Sequence, residues 1–86
     1  TDYKVSVARS ARKSLQAIDR QVSRRIVGRL ESLAVKPRPP GCAMLEGGSK
    51  LWRIRIGDYR VVYEIDDAAR TVDVSIVRHR RDVYRF

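Results

Sequence analysis

The sequence is short of the residue types on which several classes of protein depend. It has one cysteine, Cys42, and one histidine, His79, so it offers neither a disulfide framework nor the ligands of a cysteine- and histidine-based metal site. No apolar run approaches the ~20 residues of a membrane span, and no signal-peptide core is present, which predicts a cytoplasmic protein without a membrane partner. Neither a Walker-type nor a dinucleotide glycine pattern occurs. We therefore expect no metal and no cofactor.

Acidic residues are also scarce relative to basic ones. Nineteen lysines and arginines face ten aspartates and glutamates, which gives a formal net charge of +9 on 86 residues. A chain of this length forms a single domain, here expected over residues 1–86, with one modest core. So large a cationic excess on a small body indicates an anionic partner, and nucleic acid is the leading candidate.

The first half of the chain predicts one strand followed by two helices. Apolar residues alternate from Tyr3 to Val7, which indicates a short strand. Ser10 and Asp19 are expected to cap the two helices, and the second has an apolar stripe that runs from Val22 to Leu33. A proline-rich linker then ends the helical part, because proline lacks the amide donor that a helix needs.

From Lys50 onward the hydrophobic pattern has a period of two, which indicates strands. Gly57 and Asp58 separate two such runs, and a leading glycine suits a two-residue type II′ hairpin turn. A third run follows a second turn. The predicted order is β-α-α-β-β-β, an α+β fold in which a small antiparallel sheet has a two-helix hairpin packed on one face.

The predicted hairpin places arginines on the face of the sheet that the helices leave open. Its register sets Trp52 opposite Tyr63 on the core side and Arg55 directly opposite Arg60 on the other side, with Arg53 two residues away. Like charges at cross-strand spacing destabilise a sheet, so a polyanion that occupies this face best explains them. Guanidinium suits phosphate because it donates paired charge-assisted hydrogen bonds and stays charged.

The opposing interpretation is that the protein's own carboxylates neutralise these arginines. Asp58, Glu64 and Asp73 would then form a solvated ion-pair network with them, and no ligand would be needed. That interpretation suits any single arginine, whereas binding of an anion is favoured for the group.

The C-terminal segment adds groups that can transfer protons. Continued alternation is expected to bring Asp73, Ser75, Val77 and His79 to the arginine-bearing face. Cleavage of RNA by its own 2′-hydroxyl requires a base, a cation at the phosphate and an acid for the leaving oxygen. His79 can serve as acid or base, and Tyr84 as a base or as a stacking partner for a nucleobase. The neighbouring cations are Arg78, Arg80, Arg81 and Arg85.

Two segments resemble the RelE/ParE superfamily of type II toxin–antitoxin toxins. They are LWRIRIGDYRVVYEI, from Leu51 to Ile65, with Leu45-Glu46-Gly47 before it, and HRRDVYR, from His79 to Arg85. The resemblance spans essentially the whole chain and is more specific for the superfamily than for one branch. In the RelE branch, which we favour, it implies an mRNA interferase that enters the ribosomal A site and cuts the bound messenger.

The resemblance also implies roles for individual residues. Arg53, Arg55 and Arg60 match basic positions that hold the RNA backbone and the scissile phosphate. Arg80 matches an arginine that stabilises the transition state, and Tyr84 matches the base or stacking group. The remaining assignments are an acid role shared by His79 and RNA binding by Arg78, Arg81 and Arg85. Arginine replaces the lysine of well-known relatives at the first two positions, which keeps the charge but removes acid–base capacity.

Partners and alternatives follow from the same resemblance. It implies a cognate antitoxin that covers the arginines, the ribosome with its mRNA, and a hetero-oligomeric toxin–antitoxin complex that binds DNA through the antitoxin. The alternative from the ParE branch is a DNA gyrase inhibitor that performs no chemistry. A third interpretation is an RNA- or ribosome-binding module without catalytic activity.

Overall fold

The computed structural model describes residues 2–45 and 50–81. The elements in chain order are β1 (Lys4–Val7), α1 (Arg9–Ala17), α2 (Arg20–Ser32), β2 (Ala43–Met44), β3 (Leu51–Ile56), β4 (Tyr59–Asp66) and β5 (Thr71–His79). The strands form one sheet in the order β1-β5-β4-β3-β2. This architecture confirms the predicted α+β class. Within the described ranges, no helix is both long enough and apolar enough to cross a membrane.

The sheet is mixed, whereas the sequence predicted an antiparallel one. β1 pairs with β5 in parallel, and Val7 lies beside Val74. Two helices separate β1 from the other strands in the chain, so no local turn fixes its direction, and periodicity identifies a strand without identifying its partner. The strand β2, which pairs antiparallel with β3, is an addition to the prediction. Its two residues are too few to form an alternating pattern.

The β3–β4 hairpin has the predicted register. Trp52 pairs with Tyr63, and Arg55 pairs with Arg60. Gly57 has a φ of 60°, and the residue after it has a negative φ, as a type II′ turn requires. A two-residue turn leaves one register for the strands that it joins, which is why the sequence was sufficient here.

The helices bury their apolar sides on the sheet face opposite the arginines. Ile26 and Leu30 of α2 belong to the same buried cluster as Val61 and Tyr63 of β4. Burial of each such side chain stabilises the fold by roughly 1.5–3 kcal/mol. The Tyr63 hydroxyl donates a hydrogen bond of 2.8 Å to the carbonyl of Pro37, so the largest buried side chain has a partner for its polar atom. Burial raises the pKa of Tyr63 well above its ordinary value.

The helix caps differ in part from the prediction. α1 begins two residues earlier than expected, with Ala8 in place of Ser10 as its cap residue, so Ser10 lies inside the first turn. The Ser10 hydroxyl donates instead to the carbonyl of Ser75 at 3.3 Å and thereby joins α1 to β5. Asp19 is the N-cap residue of α2 as predicted, although its carboxylate makes no capping hydrogen bond.

Arg38, in the proline-rich linker, contacts the turn after β4 and the ring of Trp52 in β3. Its guanidinium donates two hydrogen bonds to the Asp67 carboxylate, at 3.2 and 2.7 Å, and lies 5.0 Å from the centroid of the Trp52 ring. The Tyr3 hydroxyl donates to the same carboxylate at 2.6 Å. Hydrogen bonds from Arg38 and Tyr3 lower the pKa of Asp67 to about 2.

We expect this contact to weaken at strongly acidic pH. Because the pKa of Asp67 falls from 3.8 to about 2 on folding, its stabilising contribution is complete above the first value and is lost as pH falls through the second. Asp67→Asn should therefore lower stability at neutral pH and reduce the loss of stability on acidification. The effect is small because the pair is exposed.

Urea unfolding at a series of pH values measures the difference, with Asp2→Asn as a control at an exposed aspartate near the N-terminus. A stability profile for Asp67→Asn that is parallel to that of the unchanged protein would contradict the assignment.

Candidate functional site

Three arginines lie side by side across the open face of the sheet. Arg55 of β3 pairs with Arg60 of β4, which in turn pairs with Arg78 of β5. We call these three residues the arginine row. Cross-strand partners share one face, with Cβ atoms about 4.5–5.5 Å apart, so neighbouring guanidinium groups can contact the same ligand. Arg53 lies on this face in the adjacent row, where it pairs with Val62.

Three arginines of this face, Arg53, Arg55 and Arg60, form no ion pair with a carboxylate of the described residues. The described residues include the ion pairs Arg38–Asp67 and Lys50–Asp66. Within residues 2–45 and 50–81, no carboxylate is at salt-bridge distance from any of these three arginines. Asp73 accepts a hydrogen bond of 2.8 Å from the Ser6 hydroxyl. The ion-pair network that the sequence allowed as an alternative is therefore absent from this part of the chain.

The β3–β4 turn brings Arg80 to the same end of the sheet. The backbone N–H of Arg80 donates to the carbonyl of Asp58 at 2.7 Å, and the Nε–H of Arg55 donates to the carbonyl of Gly57 at 3.1 Å. A cavity of about 110 Å³ at this point, which we call the arginine pocket, is lined by Arg55, Asp58, Tyr59, Arg60 and Arg80. Its size and its three guanidinium groups suit one phosphate group.

A β-bulge in β5 changes which residues face the arginines. The pairing between β4 and β5 shifts between Val62 and Tyr63 and leaves Ser75 without a partner in the register. A bulge adds one residue to one strand, so the alternation beyond it is reversed. Asp73, before the bulge, is exposed as predicted, whereas Val77 is 3% exposed and belongs to the core. The prediction that Val77 faces the arginines is wrong for this reason.

The same bulge moves His79 to the helix side of the sheet. His79 pairs with Tyr59, and the two rings meet edge to face with their centroids 5.1 Å apart. The His79 Nδ1 accepts the backbone N–H of Arg81 at 3.2 Å, so a neutral imidazole has its proton on Nε2. The expected position of His79 among the arginines is therefore wrong, and Arg78 takes that place. The acid role of His79 stays a prediction.

The remaining predicted site residues belong to the end of the chain. Arg80 and Arg81 are exposed just after β5. Tyr84 and Arg85 lie outside the described residues, so their roles stay predictions.

Sequence reasoning missed a larger cavity on the helix side of this end of the sheet. We call this cavity of about 520 Å³ the helix-side cleft. It is lined by two residues of the second half of α1, by the residue that caps this helix and by four residues of β4 and β5: Ser14, Ala17, Ile18, Tyr59, Val77, Arg78 and His79. Alternation assigned Tyr59 to the core side, which indicates packing and gives no sign that a cleft remains beside the ring.

Solved structures with the same architecture are RelE-like toxins. The chain superposes on the archaeal RelE–RelB complex from Pyrococcus horikoshii OT3 with a TM-score of 0.83 at 27% identity, over 93% of this chain and 97% of that one. For the RelBE2 toxin–antitoxin complex from Mycobacterium tuberculosis, the TM-score is 0.81 at 26% identity, and the match covers 92% of this chain and 99% of that one. The YoeB/ParE toxin from Agrobacterium tumefaciens shares the fold, with a TM-score of 0.73 at 19% identity. This match covers 88% of this chain and 96% of that one.

The sequence family is defined by a separate match. Residues 5–84 fit the family model described as the ParE toxin of type II toxin–antitoxin system, parDE. The chain therefore belongs to this toxin family, within the RelE/ParE superfamily, and has a RelE-like fold. No curated protein matched the sequence.

The arginine row should cost the unliganded protein stability. Arg60→Gln removes the repulsion between Arg60 and Arg55, so we expect a gain of roughly 0.2–1 kcal/mol in the free energy of unfolding, and the gain should shrink in high salt. Urea denaturation measures this gain, and Arg29→Gln, at an exposed position of α2, is the matched control. A loss of stability in Arg60→Gln alone would show that Arg60 stabilises the fold instead.

Proposed function

We propose that the protein is a ribosome-dependent mRNA interferase, an endoribonuclease toxin that inhibits translation. The observation that supports this function is a cluster of arginines, at and beside a pocket of about 110 Å³, in which Arg53, Arg55 and Arg60 form no salt bridge with a carboxylate of the described residues. Such a group is costly without a ligand and suits a nucleic-acid backbone, whose phosphates are the dominant contacts in protein–nucleic acid binding.

The arginine pocket is the proposed position of the scissile phosphate. Arg55, Arg60 and Arg80 would stabilise the additional negative charge that this phosphate acquires in the transition state. Arg53 and Arg78 lie beside the pocket on the open face and would bind the flanking RNA backbone. Arg81 and Arg85 are proposed to extend this backbone contact.

Proton transfer needs groups other than the arginines, because guanidinium does not give up its proton near neutral pH. We assign the base that activates the 2′-hydroxyl to Tyr84, on the sequence resemblance alone. A tyrosine base acts as its phenolate, a form that adjacent guanidinium groups favour, and Arg80, Arg81 and Arg85 are close to Tyr84 in the sequence. His79 ends β5 on the helix side of the sheet, opposite the arginine row, and this position supports a contact with the nucleotide more than a place at the scissile phosphate.

The proposed partners are a cognate antitoxin, the ribosome and mRNA. Two of the similar structures are toxin–antitoxin complexes, which supports an antitoxin for this toxin. A net charge of +9 supports an acidic antitoxin segment over the arginine row. We propose that the resulting hetero-oligomer binds DNA through the antitoxin.

A second candidate function is inhibition of DNA gyrase without chemistry. It is favoured by the name of the matching family, the ParE toxin of parDE. The two functions differ in their dependence on the arginine pocket, because a gyrase inhibitor has no scissile RNA phosphate to stabilise.

Arg60→Ala and Arg80→Ala should abolish cleavage of messenger. Loss of one preorganised cation at a transition-state oxyanion typically reduces the rate by about 10²–10³-fold. The test is to map the 5′ ends of mRNA fragments in a purified translation reaction, with Arg29→Ala as the control for loss of surface charge. Thermal unfolding verifies that each variant is folded.

Full cleavage by both pocket variants would contradict the assignment of the site. Absence of cleavage by the unchanged protein, together with inhibition of gyrase supercoiling in a parallel reaction, would establish the second candidate.

A further inference from the structure

The arginine pocket and the helix-side cleft open at the same end of the sheet. Tyr59 begins β4 and lines both cavities. His79 ends the neighbouring strand and lies against Tyr59, on the cleft side. Tyr59 therefore lies between the arginine pocket and the helix-side cleft. A ligand with a charged part and a flat part can occupy both cavities.

The walls of the cleft suit a flat, largely apolar group with polar edges. Ala17, Ile18 and Val77 present aliphatic surface, and the rings of Tyr59 and His79 add aromatic surface. The volume of about 520 Å³ lies within the range of pockets that bind small organic ligands. The arginine pocket is smaller, at about 110 Å³, and three of its five lining residues are arginines, whereas the cleft has one arginine, Arg78, among its seven.

His79 provides a hydrogen-bond donor at the edge of the cleft. The His79 Nδ1 already accepts the N–H of Arg81, so Nε2–H is the donor that a ligand in the cleft can use. The Ser14 hydroxyl donates to the carbonyl of Ser10 at 3.1 Å, which leaves its oxygen as an acceptor. Nucleobases present donors and acceptors of this kind on their edges.

We propose that the helix-side cleft is a nucleobase subsite for the nucleotide whose phosphate occupies the arginine pocket. The base lies against the ring of Tyr59, and His79 Nε2–H donates to an acceptor on the edge of the base. This inference rests on the proposed function for its substrate, RNA, and adds a site that would make cleavage depend on the base beside the cut. Stacking of one base on an aromatic side chain contributes about 1–3 kcal/mol, which corresponds to a roughly 5- to 150-fold gain in affinity.

The test is nucleotide binding, which does not require cleavage. Adenosine 5′-monophosphate, adenosine 3′-monophosphate and inorganic phosphate are titrated into the full chain, and the chemical shifts of its amides and imidazole are followed by NMR. At least one nucleotide should bind about 5-fold or more tightly than phosphate and shift the His79 signals, and phosphate should not shift them.

Ala17→Leu is the variant that fills the cleft, and Gln16→Leu is its matched control. Both residues are exposed near the end of α1, but only Ala17 lines the cleft. Ala17→Leu should remove the advantage of the nucleotide and leave phosphate binding unchanged, whereas Gln16→Leu should change neither. His79→Phe, which keeps an aromatic ring, should lose part of the advantage.

Three results would overturn the subsite. They are nucleotides that bind no more tightly than phosphate, shifts that avoid the cleft, and equal behaviour of the two leucine variants. Cleavage of mRNA by a protein that gives any of these results would leave the proposed function standing without the subsite. A protein that gives the expected binding but does not cut mRNA would contradict the proposed function alone.

Discussion

Repulsion between paired arginines on the open face is the constraint on which the site depends. Arg55 and Arg60 are held opposite one another because their strands are joined by a two-residue turn. On the other face of the same strands, Ile54 and Val61 are 3% and 0% exposed, so the hairpin cannot slip by one residue without exposing its core side. Burial of apolar side chains thus holds together charges that would otherwise separate.

The β3–β4 turn and the bulge in β5 together determine which side chains belong to the site. The carbonyl groups of the turn hold Arg55 and the backbone of Arg80, so the turn joins the end of β5 to the hairpin. The bulge at Ser75 then decides that Arg78 lies in the arginine row and that His79 faces the helices. The Ser75 hydroxyl donates to the carbonyl of Val62 at 3.2 Å, and this bond ties the bulge to β4. One end of the sheet therefore has a charged side and an aromatic side.

The parts of the fold that local rules determine were predictable from the sequence, and the others were not. The hairpin register follows from turn length and alternation, so the Arg55–Arg60 pair was predicted correctly. The parallel partner of β1 depends on a contact between distant segments, which periodicity does not encode. The hydrophobic pattern of β5 is compatible with a strand that has no bulge, so the sequence gives no sign of the bulge at Ser75. The prediction therefore left the bulge out and placed His79 on the wrong face of the sheet. The cleft depends on how α1 packs on β5, which pattern alone does not specify.

The central claim is that the arginine row binds a sugar–phosphate backbone. The most direct measurement is the affinity for a single-stranded RNA with 2′-deoxy substitutions that prevent cleavage, determined over a range of salt concentrations. Each phosphate contact contributes about 0.7 to the slope of log affinity against log salt concentration. The account predicts that Arg55→Gln and Arg60→Gln each lower the slope by about that amount, while Arg29→Gln on α2 changes it much less. Equal slopes for all three variants would contradict it.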